Sequence, residues 1–291
     1  MVRALSATPD SLSVDPPSLH LTPEQTQAII AAIAVVLAEA ELTTDKLTEA
    51  LIAQVGAWTG DPVMPAFQEL WPRWRLAQGL AGVRGALCFG PNRGRNVTYT
   101  NPRRWLPGFQ PENSQTALAG LVKRYLYAYG PATPQQFAQW LAVPRRWAAD
   151  LFASLTTQLQ QVEFNGSPAW EVTGDSTAPN IEPQGVRLLP YFDAYAVGSH
   201  PRELLFPARA AERALAGGQA GNFPVLLIDG IVAGVWHLNR SGRKIEITVE
   251  PLEDLTPAQR HALDEQVERI GQILEGQPHW STGIVTTGAH A

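Results

Sequence analysis

Apolar side chains first fall into a helical register at Ile29. With Ile30, Ile33, Val36 and Leu37 it lines one face of a helix ending near Ala40. Thr22-Pro23-Glu24-Gln25 supplies the start: a capping threonine, a proline at the first helical position and a glutamine that completes a capping box. The same T-P-x-Q opening recurs at Thr133-Pro134-Gln135-Gln136 and Thr256-Pro257-Ala258-Gln259, so three helices share one start signal. A second helix is predicted over Thr44 to Val55, stopped by Gly56. A third is predicted after Pro65, with Phe67, Leu70, Trp71 and Trp74 on its inner side. The period then becomes that of a strand. Ala86-Leu87-Cys88-Phe89 and Val97-Thr98-Tyr99-Thr100 flank the turn-rich run Gly90 to Asn96, which predicts a basic β-hairpin. Three helices followed by such a hairpin is the order of a winged helix.

The order then repeats. Helices predicted over Gln115 to Tyr129, Thr133 to Leu141 and Pro144 to Leu159 precede strands Gln161 to Phe164 and Ala169 to Val172 around Asn165-Gly166. Beyond the Gly-, Asp-, Ser- and Pro-rich stretch Gly174 to Gly185 comes a short strand at Val186 to Leu189, and then a helix over Pro207 to Leu215. A hairpin turning at Asp229-Gly230 and a strand from Lys244 to Val249 follow, and the Thr256 to Leu274 helix closes the pattern. The expected fold class is therefore α+β, mainly α, with tandem winged-helix modules followed by a C-terminal α/β domain. The expected boundaries are a disordered, extended arm or the remnant of something longer over 1–20, modules over 21–110 and 111–174, the α/β domain over 185–276 and a mobile tail over 277–291.

Charge changes this picture. Between Leu70 and Ala149 lie eleven basic side chains and one carboxylate, Glu112, so that stretch is about +10. The whole chain is −5, which leaves the other 211 residues near −15. Folding does not require such asymmetry; a surface for a polyanion does, and nucleic acid is the commonest polyanion. Other chemistry is sparse. Cys88 stands alone, which excludes an internal disulfide and a thiolate cluster, and the six histidines include no i, i+4 pair. No metal or cofactor is expected. The longest apolar run, Ala28 to Ala38, is too short to span a bilayer, and no leader opens the chain, so a cytoplasmic protein without membrane contact is expected. Signatures of serine hydrolases, zinc proteases and nucleotide-binding loops are missing.

Several segments together resemble one bacterial family. They are Leu87-Cys88-Phe89-Gly90-Pro91, Lys123-Arg124-Tyr125-Leu126, Tyr129-Gly130-Pro131-Ala132-Thr133, Arg187 to Tyr195 and Asp229 to Trp236. The resemblance, over roughly Leu21 to Leu274, is to the winged-helix DNA-binding-domain family that includes the AlkZ and YcaQ interstrand-crosslink DNA glycosylases. It implies tandem winged helices around a basic concave surface. Active members carry a Gln-apolar-Gln or Gln-apolar-Asp motif in or beside an earlier module, and this sequence starts too late to contain it. Gln158-Leu159-Gln160 imitates the motif but enters the second wing, and Gln25-Thr26-Gln27 lacks the apolar centre, so neither inherits a catalytic role.

The expected partner is double-stranded DNA. Arg93 and Arg95 flank Gly94 at a hairpin tip, with Arg103 and Arg104 just after the returning strand; guanidinium forks match phosphate oxygens. Arg145 and Arg146 open the second module's recognition helix, where cations disfavour the free helix by a few tenths of a kcal/mol, about 0.3 or more, and so imply another use. The bland alternative there is a salt bridge from Arg146 to Asp150. Arg73 and Arg75 lie late in the first module's third helix, one stem packing on Trp71. No catalytic residue is assigned. Asp193 is either a turn cap or a substitute catalyst, and His237 a core histidine rather than a catalyst. The leading expectation is a DNA-binding relative of the crosslink-repair glycosylases without their activity. An active glycosylase and a protein-binding scaffold with an acidic C-terminal half are the alternatives.

Overall fold

All three threonine-led starts are realised. Thr22 accepts the Gln25 N–H at 3.2 Å while the Gln25 side chain accepts the Thr22 N–H at 2.9 Å, which opens α1 (Pro23–Val36). Thr133 with Gln136 and Thr256 with Gln259 make the same reciprocal bonds. The computed structural model describes residues 21–66, 69–108, 112–175, 183–215 and 217–286; the predicted arm over 1–20 lies outside them. The chain forms two compact units, Met1–Leu126 with Phe137–Leu159, and Tyr127–Gln136 with Gln160–Ala291.

In the first unit, β1 (Leu42–Thr43) leads into α2 (Thr44–Val55), which Gly56 ends at a φ of 136°, a conformation glycine adopts without a Cβ clash. The helix predicted after Pro65 is absent. A hairpin of β2 (Pro62–Pro65) and β3 (Leu70–Pro72) takes its place, with Phe67 outside the described residues. The reason is Pro72, which inside a helix would lack an N–H and clash with the preceding turn. Helical backbone begins only after it, as a 3₁₀ turn (Arg73–Ala77) running into α3 (Gln78–Val83). β4 (Cys88–Phe89) and β5 (Thr98–Thr100) then pair antiparallel, and β1 adds to the far side of β5, giving the order β1-β5-β4.

The core of this region gathers Ile29, Ile33, Leu37, Leu47, Leu51, Trp74 and Tyr99. Trp74 is fully buried, and its indole N–H donates to the Thr48 hydroxyl at 2.8 Å, so its one polar atom is satisfied. α4 (Ser114–Tyr129), α5 (Pro134–Leu141) and α6 (Arg145–Ala153) follow. Their contact is aromatic: Phe137 stands 5.1 Å from Tyr125 and 5.5 Å from Phe152, ring centre to ring centre.

The second unit holds the hairpin of β6 (Leu159–Phe164) and β7 (Ser167–Val172), turned by Asn165 and Gly166 at positive φ. Ala132, just before α5, bridges to Trp170 on β7. β8 (Val186–Leu189), α7 (Ala194–Gly198), α8 (Arg202–Leu205), α9 (Arg209–Ala214), β9 (Val225–Ile228), β10 (Ile231–Ser241), β11 (Lys244–Pro251), α10 (Pro257–Ile273) and β12 (Gln277–Thr282) complete the chain. Five of these strands form one sheet, ordered β12-β11-β10-β9-β8. Alternation on β9 divides two cores. Val225 and Leu227 pack with Leu205, Phe206 and Ala210, while Leu226 packs with Ile245, Ile247, Leu263 and Val267.

β12 corrects the reading of 277–291 as a tail without an element. Gln277 to Thr282 pair in parallel with Lys244 to Val249. The segment's Gln, Pro, Ser and Thr side chains hide a strand whose partner lies more than thirty residues upstream. Beyond it, Glu250 secures the chain. Its carboxylate accepts two hydrogen bonds from Arg213 at 2.8 Å and the Val285 N–H at 2.7 Å. Those bonds, Arg213's first, hold the Glu250 carboxyl below its ordinary pKa. A depressed folded value gives stability that is complete above the unfolded carboxylate pKa of about 4.3 and is lost as pH falls through the lower folded value. Thermal midpoints of the wild type and Glu250→Gln, compared from about pH 6 down to about pH 3, are therefore expected to converge; a constant gap would contradict the assignment.

The class is mixed α/β, with ten α-helices and four sheets among the described residues. None of those helices is long and apolar enough to cross a membrane.

Candidate nucleic-acid interface

All eleven basic residues of the 70–149 stretch fall in the first unit. That unit holds 13 basic and 11 acidic side chains, against 9 and 16 in the second. The first unit is thus net +2 and the second −7.

The hairpin between β4 and β5 narrows to a two-residue tip. Arg93 and Asn96 exchange backbone hydrogen bonds at 2.9 and 3.1 Å, which leaves Gly94, at φ 62°, and Arg95 as the turning residues. Arg95 is exposed and makes no ion pair or hydrogen bond from its side chain among the described residues. The Arg93 guanidinium donates to the Glu41 carbonyl at 3.0 Å. Arg104 donates to the carboxylate of that same Glu41 at 3.3 Å and to the Thr100 hydroxyl at 2.8 Å. Glu41, just before β1, thereby draws Arg93 and Arg104 together. Arg103 lies beside them, exposed and unpaired among the described residues.

Arg73 and Arg75 form a separate group on the 3₁₀ turn. Arg73 pairs with Asp61 at 3.5 Å. The Arg75 guanidinium lies 3.7 Å over the Trp71 ring, and the Trp71 N–H donates to Glu69 at 3.2 Å. Both arginines are thus engaged within the chain, and neither stands late in a regular helix. Arg145 and Arg146 begin α6, are exposed, and carry no ion pair among the described residues; the Arg146–Asp150 bridge is not formed. Sequence reasoning missed Glu41. The one signal for it was its place beside a strand start, which does not mark a partner over fifty residues away.

Three of the four glutamines in the two pairs bond within the chain. Gln25 caps α1, and Gln27 accepts from Arg84 at 3.0 Å. Gln160 donates to Glu171 across the β6–β7 hairpin at 2.6 Å. Asp193 caps the start of α7, its Oδ1 accepting the Tyr195 N–H at 2.9 Å. The two His237 ring nitrogens face Tyr191 at 3.5 Å and Asn239 at 3.2 Å. No three His, Cys, Asp or Glu side chains come together as metal ligands among the described residues.

The chain is similar to known repair glycosylases in sequence and in architecture. The interstrand DNA cross-link repair glycosylase of Streptomyces sahachiroi is 29% identical over 272 residues, covering 87% of this chain and 67% of that protein. The solved structure of the Streptomyces sahachiroi DNA glycosylase AlkZ matches with a TM-score of 0.69 at 26% identity, covering 98% of this chain and 76% of that one. These likenesses make the chain a DNA-glycosylase-like protein of the DNA-repair class. A family model described as "DNA glycosylase AlkZ-like" matches residues 1–273, and the chain belongs to that family.

Proposed function

We propose that this chain binds double-stranded DNA through its first unit, as a tandem winged-helix protein whose glutamine pairs take no part in base release. One observation carries the reading: the basic stretch is gathered in one unit, where Arg95, Arg103, Arg145 and Arg146 stand exposed without side-chain partners among the described residues. Such side chains are free to neutralise phosphates. The winged-helix assignment draws on the β1-β5-β4 order after α1, α2 and α3, with the arginine-tipped hairpin as wing. A second module is supported by the echo of that layout, in which Ala132 bridges to the hairpin strand β7 as β1 pairs with β5. The DNA-binding residues are Arg93, Arg95, Arg103, Arg104, Arg145 and Arg146, with Arg73 and Arg75 as a lesser pair held by Asp61 and Trp71.

With roughly five to eight phosphate contacts, affinity for a duplex is expected to fall by about 10³ or more when salt rises fourfold. Fluorescence anisotropy checks this, and a flat titration would end the proposal. Family membership favours a second reading, base release from alkylated or crosslinked DNA. Release by the wild type that is lost on Gln160→Ala or Gln27→Ala would overturn the non-catalytic half of the proposal.

A further inference from the structure

The chain leaves β5 through a turn that presents two arginines and then two large apolar side chains. We infer that Trp105 and Leu106 form a wedge that enters an opened base step of duplex DNA, flanked by guanidinium groups on the neighbouring phosphates. The inference rests on duplex binding by the first unit and adds a contact to the bases themselves.

The turn is built as a rigid mount. Thr100 and Asn101 are buried. The Thr100 hydroxyl donates to the Ala40 carbonyl at 3.0 Å, and the Asn101 N–H donates to the Leu37 carbonyl at 3.3 Å. The Asn101 carboxamide donates to the Ala34 carbonyl at 3.5 Å and accepts the Arg103 N–H at 3.0 Å, capping the 3₁₀ turn Pro102–Arg104. The Trp105 and Leu106 N–H groups both return to the Pro102 carbonyl, at 3.2 and 3.0 Å. The backbone is thus fixed as far as Leu106.

What the mount displays does not suit water. Trp105 is 50% exposed and Leu106 58%. Cations outnumber the one carboxylate beside them: Arg103 is exposed, and Arg104 pairs with Glu41, whose carbonyl also accepts from Arg93 of the wing. An apolar pair set among cations complements a molecule with anionic edges and stacked apolar faces, which is a nucleic-acid duplex. Inserted leucines unstack base steps and tryptophan faces stack on bases whatever their sequence, while a mount fixed beforehand leaves little ordering to be lost on contact.

The test uses the full chain and duplexes in which the adenine of a TA step is replaced by fluorescent aminopurine, whose emission rises on leaving the stack. Anisotropy is read on the same samples. Wild-type binding is expected to raise the emission. The double variant Trp105→Ala, Leu106→Ala is expected to lose that rise and to bind roughly tenfold more weakly. Its salt dependence stays as in the wild type, because no phosphate contact is removed, and Trp105→Phe retains most of both signals. Binding without an emission rise, or a double variant equal to the wild type, overturns the wedge alone. Anisotropy that shows no wild-type binding overturns the duplex reading and the wedge together.

Discussion

Replacing Arg93, Arg95, Arg145 and Arg146 together by alanine is expected to weaken duplex binding about 10³-fold at about 0.1 M salt. Each lost phosphate contact removes close to one counterion from the exchange, so the slope of log affinity against log salt should shrink by about 3.6. The four side chains are exposed and, among the described residues, only Arg93 holds an internal bond, so the fold should lose little, about 0.5 kcal/mol or less per site. Anisotropy titrations at several salt concentrations, beside thermal unfolding of the same samples, separate the two effects. An unchanged slope in a folded variant would show that these arginines do not meet phosphate. Because the loss is electrostatic, it should be alike for unrelated duplex sequences.

Trp74→Ala is expected to destabilise the first unit by about 3–5 kcal/mol, against a usual domain stability of about 5–15 kcal/mol. Trp74 is fully buried, stands edge-on to Tyr99 at 6.1 Å and donates to Thr48. Truncation leaves a cavity between α1, α2 and the hairpin that nearby Ala77 and Ala81 are too small to fill. Urea unfolding followed by circular dichroism gives the shift. A change below about 1 kcal/mol would mean that the site collapses around the loss. Trp74 also shares its short turn with Arg73 and Arg75, so its removal should loosen their hold on Asp61 and Trp71.

What the sequence discloses here depends on the range of the interaction. Thr22 with Gln25, Thr256 with Gln259, and the Asp229-Gly230 turn are settled by residues three apart or fewer, and each formed where its pattern placed it. Thr44–Val55 was legible for the same reason, with Gly56 as its stop. Pro72 was on view, yet the aromatic spacing of Trp71 and Trp74 suggested a helix that proline forbids. β1 is two residues long and exists only because Tyr99 and Thr98 arrive beside it. β12 likewise depends on a distant partner in β11. The candidate site divides in the same way. Its arginines could be counted along the chain. Whether each arginine was free depended on Glu41 and Asp61, carboxylates that only the fold brings near.

Glu41 gives the proposed surface a resident rival. Its carboxylate and carbonyl already hold Arg104 and Arg93 in place, much as an incoming phosphate oxygen would. A duplex landing there finds the two forks aimed in advance, which favours fast capture. It must also displace an anion that never diffuses away, and this sets a floor on how readily the same arginines let the duplex go again.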